Sequence, residues 1–555
     1  MRPRKEPGRA EGKPSRRNFL SSTLQVGAAS LAFPAFSHVA HADAANSTGD
    51  VTPFELDEIT VAELQEGMRS GKFTSRGLAE RYLARIAEID KAGPSLNSVI
   101  ELNPEVLGIA DRLDAERKSR GPRGPLHGIP VLIKDNIGTA DRMRTTAGSL
   151  ALADFTPAHD SAVARRLRQA GALILGKTNL SEWANFRSSH SSSGWSGRGG
   201  QTRNPYATDR NPCGSSSGSG AGVSANLCAI AVGTETDGSI VCPSSANGTV
   251  GIKPTVGLVS RAGIIPVSHN QDTAGPMCRT VADAATLLGA LAGADPADSA
   301  TMAASGKIPA DYTRFLDPRG LHGARIGVLR NTFDFGECVA PVFKSALDAM
   351  RDAGAELVDI EIASLGKLDE SEGIGLLYDF KADLNAYLAA AGPKILVSSL
   401  KELIAFNERN RDREMPYFGQ DLFEKAEAKG PLTEKAYLDA LAKNHRLART
   451  EGIDAAMDKN KLDAIVAPTA GPAWLTDHID GDHDTGGTSS LAAVAGYPNI
   501  HVPAGFVFGM PVGVSFFGRA WSEPQLIRIA YSFEQATRAR KPPRFLPTAN
   551  FTPPV

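Results

Sequence analysis

The chain has 555 residues, 42% of them hydrophobic, which is enough to bury a large core in one big domain or in two to three ordinary ones. Its formal net charge is −2 at pH 7, but residues 1–42 contain seven Lys or Arg and only two Asp or Glu, so the rest carries −7. An acidic body of this kind argues against nucleic acid or an anionic membrane as the main partner.

The first 42 residues are typical of an export signal. Arg16 and Arg17 precede an apolar, alanine-rich stretch, and Ala40-His41-Ala42 has the small-x-small pattern of a cleavage site. Paired arginines predict a twin-arginine leader, so we expect the twin-arginine export machinery as a partner and a mature periplasmic or secreted chain starting near Asp43. A stable membrane anchor is the disfavoured alternative, because polar residues and a proline interrupt the stretch and it is short for a bilayer.

Cysteine and histidine usage predicts neither a metal nor a cofactor. The five cysteines form no CxxC pair and have no zinc-ligand spacing with histidine, and the eleven histidines form no HExxH pattern. Four cysteines fall between residues 213 and 278, in glycine-rich segments, so we interpret them as buried small side chains that need no disulfide. The glycine-rich stretch at 213–222 lacks the Gly-Lys-[Ser/Thr] end of a P-loop, so nucleotide binding is not expected.

The N-terminal half of the mature chain alternates helices and strands. Apolar residues at helical spacing predict helices near 61–68 and from about residue 74. Short apolar runs predict buried strands within 126–137 and 171–177, on either side of a helix over 162–170. Ser, Gly and Asn dominate 187–222; a low-complexity linker is the alternative there, but closely flanking apolar segments favour a functional loop.

The second half repeats this pattern. Strands are predicted at 324–329, 356–360, 462–468 and 511–517, with helices ending near 347 and spanning about 526–536. Residues 367–458 are helical and rich in charge, as expected of a peripheral helical insertion. The prediction is therefore a single large three-layer α/β/α domain over 43–555, with a mixed central sheet and an insertion at about 367–458.

Three residues could form a nucleophilic centre. Ser215 and Ser239 lie 24 positions apart, each in a glycine-rich turn, and Lys134 ends the apolar run Gly128-Ile-Pro-Val-Leu-Ile-Lys134. A serine hydroxyl needs a base to attack an amide, and a lysine kept neutral by burial can supply one. Glycine-rich turns also let backbone N–H groups approach a reacting oxygen. The pattern indicates a hydrolase of carbonyl compounds.

Two alternatives stay open on the residues alone. A single lysine after an apolar run also fits a strand-end residue that reaches solvent. Composition does not distinguish Ser215 from Ser216, Ser217 or Ser219, which are the candidates for hydrogen-bonding support.

The strand lysine, the Gly-Ser-Ser-Ser-Gly-Ser loop at 214–219 and the Gly-Thr-Glu-Thr-Asp-Gly-Ser-Ile loop at 233–240 together resemble the amidase signature family. The resemblance extends from about Phe54 to about Arg538, and 177–187 and 233–276 are most similar to its bacterial peptide-amidase branch. It implies a Ser-Ser-Lys triad in which Ser239 is the acylating nucleophile, Ser215 the bridging serine after a non-proline cis peptide, and Lys134 the terminal base.

The same resemblance implies an oxyanion hole and an activity. The backbone N–H groups of Thr236, Asp237, Gly238 and Ser239 would bind the oxyanion. The expected enzyme is an exported serine amidase that hydrolyses C-terminal peptide amides, or related linear amides, to the free acid and ammonia through an acyl-enzyme. Val241 stands where the broad family has arginine, which weakens transfer of substrate specificity and favours the peptide-amidase branch.

The substrate pocket is the least determined part of the prediction. Trp183, Phe186 and Trp195 are the candidate lining residues. An aryl-amide or fatty-acid-amide hydrolase on the same scaffold is one alternative function. A catalytically silent, amidotransferase-like binding subunit is another, and intact triad residues disfavour it.

Overall fold

A mixed β-sheet of eleven strands runs through the centre of the computed structural model, which describes residues 51–332, 337–392, 395–484 and 486–551. The predicted leader, 1–42, lies outside the described residues. The strands are β1 (Val99–Leu102), β2 (Pro130–Lys134), β3 (Leu173–Thr178), β4 (Trp195–Ser196), β5 (Gly200–Gln201), β6 (Ile230–Glu235), β7 (Val250–Lys253), β8 (Thr273–Cys278), β9 (Arg325–Leu329), β10 (Glu356–Ile360), β11 (Ala464–Pro468), β12 (Asn499–Val507) and β13 (Met510–Phe517). Their order in the large sheet is β1-β3-β2-β6-β8-β7-β12-β13-β11-β9-β10, and β4 pairs only with β5.

Helices cover this sheet and complete the predicted three-layer α/β/α fold. They are α1 (Val61–Arg69), α2 (Ser75–Arg85), α3 (Val106–Arg120), α4 (Ala162–Gln169), α5 (Ser217–Ser224), α6 (Val241–Ala246), α7 (Val281–Leu291), α8 (Ala340–Asp352), α9 (Asp369–Ala391), α10 (Leu400–Arg409), α11 (Arg411–Glu414), α12 (Asp421–Glu427), α13 (Lys435–His445), α14 (Asp454–Asn460), α15 (Ser490–Ala495) and α16 (Glu523–Thr537). In the described part of the chain, no helix combines the length and the apolar character needed to cross a bilayer.

The centre of the sheet places the candidate lysine. β2 pairs in parallel with β3 on one side and β6 on the other, and all three strands are buried along their whole length. Continuous apolar runs are typical of parallel strands covered on both faces, which is why the two short runs in the sequence predicted β2 and β3. Because the carboxyl ends of parallel neighbours meet at one edge, Lys134 at the end of β2 lies beside Thr234 near the end of β6.

The serine-rich loop continues into α5, a fully buried helix made of small residues. A Cβ atom at Gly218 would lie 2.3 Å from the Ser98 carbonyl oxygen and 2.4 Å from the Asn179 carbonyl oxygen, so only glycine fits there. The low-complexity composition of this stretch therefore reflects close packing of α5 against its neighbours rather than a linker.

Six helices, α9 to α14, fill the chain between β10 and β11. α9 is the longest, with 23 residues, and its Phe380 packs against Phe423 of α12 with ring centroids 5.3 Å apart. The described residues form one compact unit. This helical segment supplies one wall of the cavity described next.

Candidate active site

Lys134 is fully buried and surrounded by oxygen atoms. Its Nζ lies 2.7 Å from Ser215 Oγ, 3.0 Å from Ser216 Oγ, 2.9 Å from Thr234 Oγ1 and 3.2 Å from the Thr234 carbonyl oxygen. A salt-bridge partner would have to be a carboxylate, and none of these four neighbours is charged. The strand-end alternative, in which the lysine reaches solvent, is therefore excluded.

The neighbours of Lys134 match the hydrogen-bonding capacity of a neutral amine. The Thr234 carbonyl can only accept, and Ser216 Oγ donates its own hydrogen to that carbonyl at 2.9 Å, so it too accepts from the lysine. When the amine is neutral, these two acceptors can take its two N–H bonds, which leaves its lone pair to the hydroxyls of Ser215 and Thr234. The lone pair is then available to the Ser215 hydroxyl, the nearest of the four oxygens.

Burial also sets the proton affinity of this lysine. Removal from water disfavours the ammonium form and lowers the pKa of Lys134 to about 7, against the weaker opposing effects of Asp272 and Glu235. At neutral pH a large fraction of the side chain is therefore unprotonated. A group with these properties can accept a proton from a serine.

Ser239 lies on the turn between β6 and α6 and opens into a cavity of about 550 Å³. The residue is 8% exposed, whereas Ser215 is fully buried behind it. The Ser215 N–H points to Ser239 Oγ at 3.4 Å, and the Ser216 N–H donates to the Ser239 carbonyl at 3.2 Å. The two serine loops are thus joined through their backbones, and the hydrogen bonds of the described residues include none between the two serine hydroxyls.

The turn before Ser239 presents unused donors to the cavity. Thr236, Asp237, Gly238 and Ser239 all line it, and among the described residues no acceptor pairs with their backbone N–H groups. Gly238 has φ +77°, a conformation that favours glycine. These four N–H groups stay candidates for the oxyanion hole.

The Glu235 side chain holds the 236–239 turn in place through two hydrogen bonds. The sequence did not indicate this role. Glu235 Oε2 accepts hydrogen bonds from the N–H groups of Ile240 at 2.7 Å and Val241 at 3.1 Å, at the start of α6. The side chain is buried, and burial raises its pKa. A buried acceptor that bridges the ends of the 236–239 turn restricts where Ser239 can lie.

The backbone before Ser215 differs from the expected cis conformation. No peptide bond in the described residues is cis, so the expected cis bond before Ser215 is not found. Instead, Cys213 and Gly214 adopt left-handed conformations with φ +59° and +60°. Asn211 holds this turn, because its Oδ1 accepts a hydrogen bond from the Cys213 N–H at 2.8 Å.

The expectation that the cysteines need no disulfide is wrong for one pair. Cys213 and Cys242 form a disulfide across 29 positions of sequence, with their Cα atoms 5.8 Å apart. Cys213 lies two residues before Ser215, and Cys242 three residues after Ser239, so the bond joins the two serine loops and lines the cavity. Cys228 and Cys278 are buried and unpaired, as predicted.

The aromatic residues predicted for the pocket divide into two groups. Phe186 lines the cavity. Trp183 and Trp195 do not: each is buried and packs on aromatic side chains, Trp183 on Phe423 and Trp195 on Phe418. The structure therefore places both tryptophans in packed aromatic clusters; a sequence does not distinguish an aromatic in a packed loop from one in a pocket.

Other cavity residues come from segments that carried no sequence signal. Trp474 lies in a loop after β11, and Glu372 lies in the first turns of α9. Asp482 accepts hydrogen bonds from the Ser193 N–H at 2.9 Å and the Asn211 side chain at 3.2 Å, which fixes the outer loop to the serine-rich stretch. Only the three-dimensional fold brings these distant positions together.

Comparison with known proteins places this site among amide-hydrolysing enzymes. The family model described as Amidase matches residues 78–527. The chain is 44% identical over 504 residues to an Arabidopsis thaliana protein named as a probable amidase, covering 89% of this chain and 93% of that relative. It is 34% identical to one of the subunits of the Synechococcus sp. glutamyl-tRNA(Gln) amidotransferase, over 87% of this chain and 98% of that relative. The native peptide amidase from Stenotrophomonas maltophilia superposes with a TM-score of 0.86 at 53% identity, over 89% of this chain and all of that structure.

Proposed function

The chain belongs to the amidase family and is an amide-hydrolysing enzyme, and from that premise we propose that it is a serine amidase that converts C-terminal peptide amides or related linear amides to the free acid and ammonia. The observation that carries this proposal is the contact between Lys134 Nζ and Ser215 Oγ, beneath a cavity into which Ser239 opens. Its similarity to a peptide amidase over the whole of that structure supports the same substrate class.

In the proposed mechanism Ser239 is the nucleophile. Neutral Lys134 accepts the Ser215 proton, Ser215 accepts the Ser239 proton, and Ser239 Oγ attacks the amide carbon. The Ser239 hydroxyl must reach Ser215 Oγ in the substrate complex, where catalytic hydrogen bonds commonly tighten. The N–H groups of the 236–239 turn would stabilise the resulting oxyanion, each by about 3 kcal/mol.

Collapse of the tetrahedral intermediate breaks the carbon–nitrogen bond. The proton held by Lys134 returns through Ser215 to the leaving nitrogen, so ammonia departs and an acyl-enzyme ester on Ser239 remains. Water then attacks the ester, with its proton passing to Ser215 and Lys134. The acid is released and the Ser239 hydroxyl is restored.

An aryl-amide or fatty-acid-amide substrate would use the same three residues. Such substrates need a predominantly apolar pocket, whereas the cavity around Ser239 is lined by several carboxylates and serines. We therefore place peptide amides first. The intact chemistry of Lys134, Ser215 and Ser239 disfavours a silent binding subunit.

The N-terminal leader supports a proposal about where in the cell the enzyme acts. Arg16-Arg17, the alanine-rich stretch and the Ala40-His41-Ala42 pattern support export of residues 43–555 by the twin-arginine route to the periplasm or the medium. A Lys substitution of both arginines should retain the protein in the cytoplasm, as measured by fractionation and immunoblotting. Export of that variant at the wild-type level would overturn this part.

Ammonia release from a peptide amide tests the activity. Wild type should release ammonia from N-acetyl-dipeptide amides, and Ser239→Ala and Lys134→Met should each lose at least about 10³-fold in kcat. A fluorophosphonate probe should add to Ser239, as located by peptide mass spectrometry. Undiminished activity of either variant, or an adduct on another serine alone, would overturn the mechanism; activity only on aryl or fatty amides would overturn the substrate class.

A further inference from the structure

The cavity around Ser239 is strongly acidic. Five of its lining residues are carboxylates, and of the described residues that line it none is Lys, Arg or His; the five are Asp237, Asp369, Glu372, Asp482 and Asp484. The proposed chemistry uses none of these side chains. Their charge therefore calls for an explanation in terms of what binds in the cavity.

Asp482 has a structural explanation. Its two oxygens accept hydrogen bonds from Ser193, Asn211 and Trp474, which anchor the loop that carries it. Hydrogen bonds of this number satisfy a buried carboxylate without any ligand.

Asp237 and Glu372 differ from Asp482. Asp237 Oδ2 accepts a hydrogen bond from Ser490 Oγ at 2.7 Å, while its Oδ1 is buried and accepts from no N–H or hydroxyl group among the described residues, although the Glu372 carboxyl and Ser489 lie beside the side chain. Glu372 is only 8% exposed, and its Oε1 accepts from the Gln271 amide at 2.8 Å. The two carboxyl groups lie within hydrogen-bonding reach of each other.

The two carboxyl groups repel each other when both are ionised, and the opposing charge of Lys253 comes from outside the cavity lining. Burial, and then the charge of Asp237, raise the pKa of Glu372 well above its usual range, and burial raises the pKa of Asp237. Burial followed by the charge of Asp237 also raises the pKa of the nearby Asp484 carboxyl. A bound cation would stabilise the ionised form of both carboxyl groups and offer an N–H donor to Asp237 Oδ1.

The position of the pair indicates which part of a substrate would carry that cation. Asp237 lies two residues before Ser239 on the same turn, and both line the cavity. The acyl part of an amide occupies this cavity when Ser239 attacks, because the leaving group of a primary amide is only ammonia. A positive charge a few bonds from the acyl carbon would thus meet the carboxylate pair.

We propose that Asp237 and Glu372 form a subsite for a positively charged group on the acyl side of the amide, so that amides carrying a free α-ammonium or a basic side chain are the preferred substrates. The inference rests on the proposed amidase activity and names its substrate class. Both sources of charge share the same chemistry, an ammonium or guanidinium N–H donor opposite two carboxylates.

The test compares matched amides on the wild-type enzyme. One arm compares Nα-acetyl-lysine amide with Nα-acetyl-norleucine amide, because only the lysine compound carries an ammonium at the end of its side chain. The other compares leucine amide with N-acetyl-leucine amide, which differ in the α-ammonium. We expect kcat/KM to favour the charged member of at least one pair by about tenfold, chiefly through KM; the arm that shows it identifies the source of the charge.

Variants assign the preference to the pair. Glu372→Gln should reduce it to less than about threefold, and Asp237→Asn gives a second measure if Glu372→Gln does not fold. Glu370→Gln is the matched control, because Glu370 lies on the same helix but its side chain is 83% exposed and pairs with Lys443. The control should keep the wild-type preference.

The possible results distinguish failure of the subsite from failure of the proposed amidase activity. Ammonia release that is equal for charged and neutral members of both pairs overturns the subsite and leaves the amidase proposal standing. A preference that persists in both Glu372→Gln and Asp237→Asn also overturns it. Failure of these four amides and of N-acetyl-dipeptide amides alike to release ammonia overturns the proposed function itself.

Discussion

The hydroxyl oxygen of Thr234 lies 2.9 Å from the amine of Lys134, on the neighbouring strand of the sheet. The same oxygen accepts a hydrogen bond from the Asn136 side chain at 2.9 Å. A short polar chain therefore runs from Asn136 through Thr234 to the base, beside the contact between Lys134 and Ser215. It gives the lysine a fixed oxygen neighbour that belongs to the sheet and not to a loop.

The pH profile of the wild type reports the protonation of Lys134. Its lowered pKa of about 7 means that the amine is protonated and inactive below that pH and neutral above it. We expect kcat/KM to fall about tenfold per pH unit below pH 7 and to level off above it. The measurement is kcat/KM from pH 5 to 9 on a neutral peptide amide, with circular dichroism at each pH to confirm folding. A flat profile in folded enzyme would contradict the role of this lysine.

Substitution of Thr234 should shift that profile. Thr234→Val removes an oxygen that accepts from the ammonium form, so the pKa of Lys134 should fall and the acidic limb should move to lower pH by about 0.5 to 1 unit. Thr234→Ser keeps the hydroxyl and serves as the control, with the limb at its wild-type position. A shift of the limb to higher pH in Thr234→Val would show that the hydroxyl does not favour the charged amine.

Single substitutions should distinguish the two serines that contact Lys134. Ser215→Ala removes the hydroxyl that faces the lone pair, and we expect kcat to fall by about 10² to 10⁴. Ser216→Ala removes an acceptor whose hydrogen is directed to the Thr234 carbonyl, and a loss of about tenfold or less is expected. Steady-state kinetics of both variants decide the matter; a larger loss in Ser216→Ala would reverse the assignment of the relay.

The disulfide between Cys213 and Cys242 should stabilise the protein. It closes a loop of 29 positions, for which loss of unfolded-state entropy predicts about 3 to 4 kcal/mol in the free energy of unfolding. Replacement of both residues by serine should therefore lower the urea midpoint and reduce kcat, because the two serine loops lose their covalent link. Cys338→Ser, at an exposed free cysteine, is the control.

Thiol titration tests the disulfide directly. The chain contains five cysteines, so the denatured protein should show three free thiols before reduction and five after it. Five thiols in protein purified without reductant would show that the bond does not form. An unchanged urea midpoint in the double variant would show that the bond adds no stability.

The sequence is sufficient to identify candidate catalytic residues but not the residues that surround them. Lys134 and Ser239 are recognisable because each lies in a local pattern, a buried strand or a glycine-rich turn, whereas Ser215 is singled out among four neighbouring serines only by its spacing to Ser239 and the family resemblance. Thr234 is not recognisable, because its contact with Lys134 depends on which strand lies next to β2. Strand order is a property of the whole sheet and has no local signature.

The cysteines and tryptophans show the same limit. Pairing of Cys213 with Cys242 requires that both serine loops fold toward each other, which their spacing of 29 positions does not reveal. Trp183 and Phe186 stand three positions apart in one short segment, yet one is core and the other lines the cavity. The direction of a side chain in an irregular loop follows from tertiary packing, so the pocket could be predicted only in part.

The division of the site between rigid and adaptable parts has an evolutionary consequence. Lys134 and Thr234 are set by hydrogen-bonded strands, and the serine loops are tied to them, whereas Glu372 and Trp474 come from α9 and from a loop far along the chain. Exchange of the outer segments between homologues would alter which amides enter without disturbing proton transfer. Selection can therefore diversify the substrates of such an enzyme while the hydrolytic step stays the same.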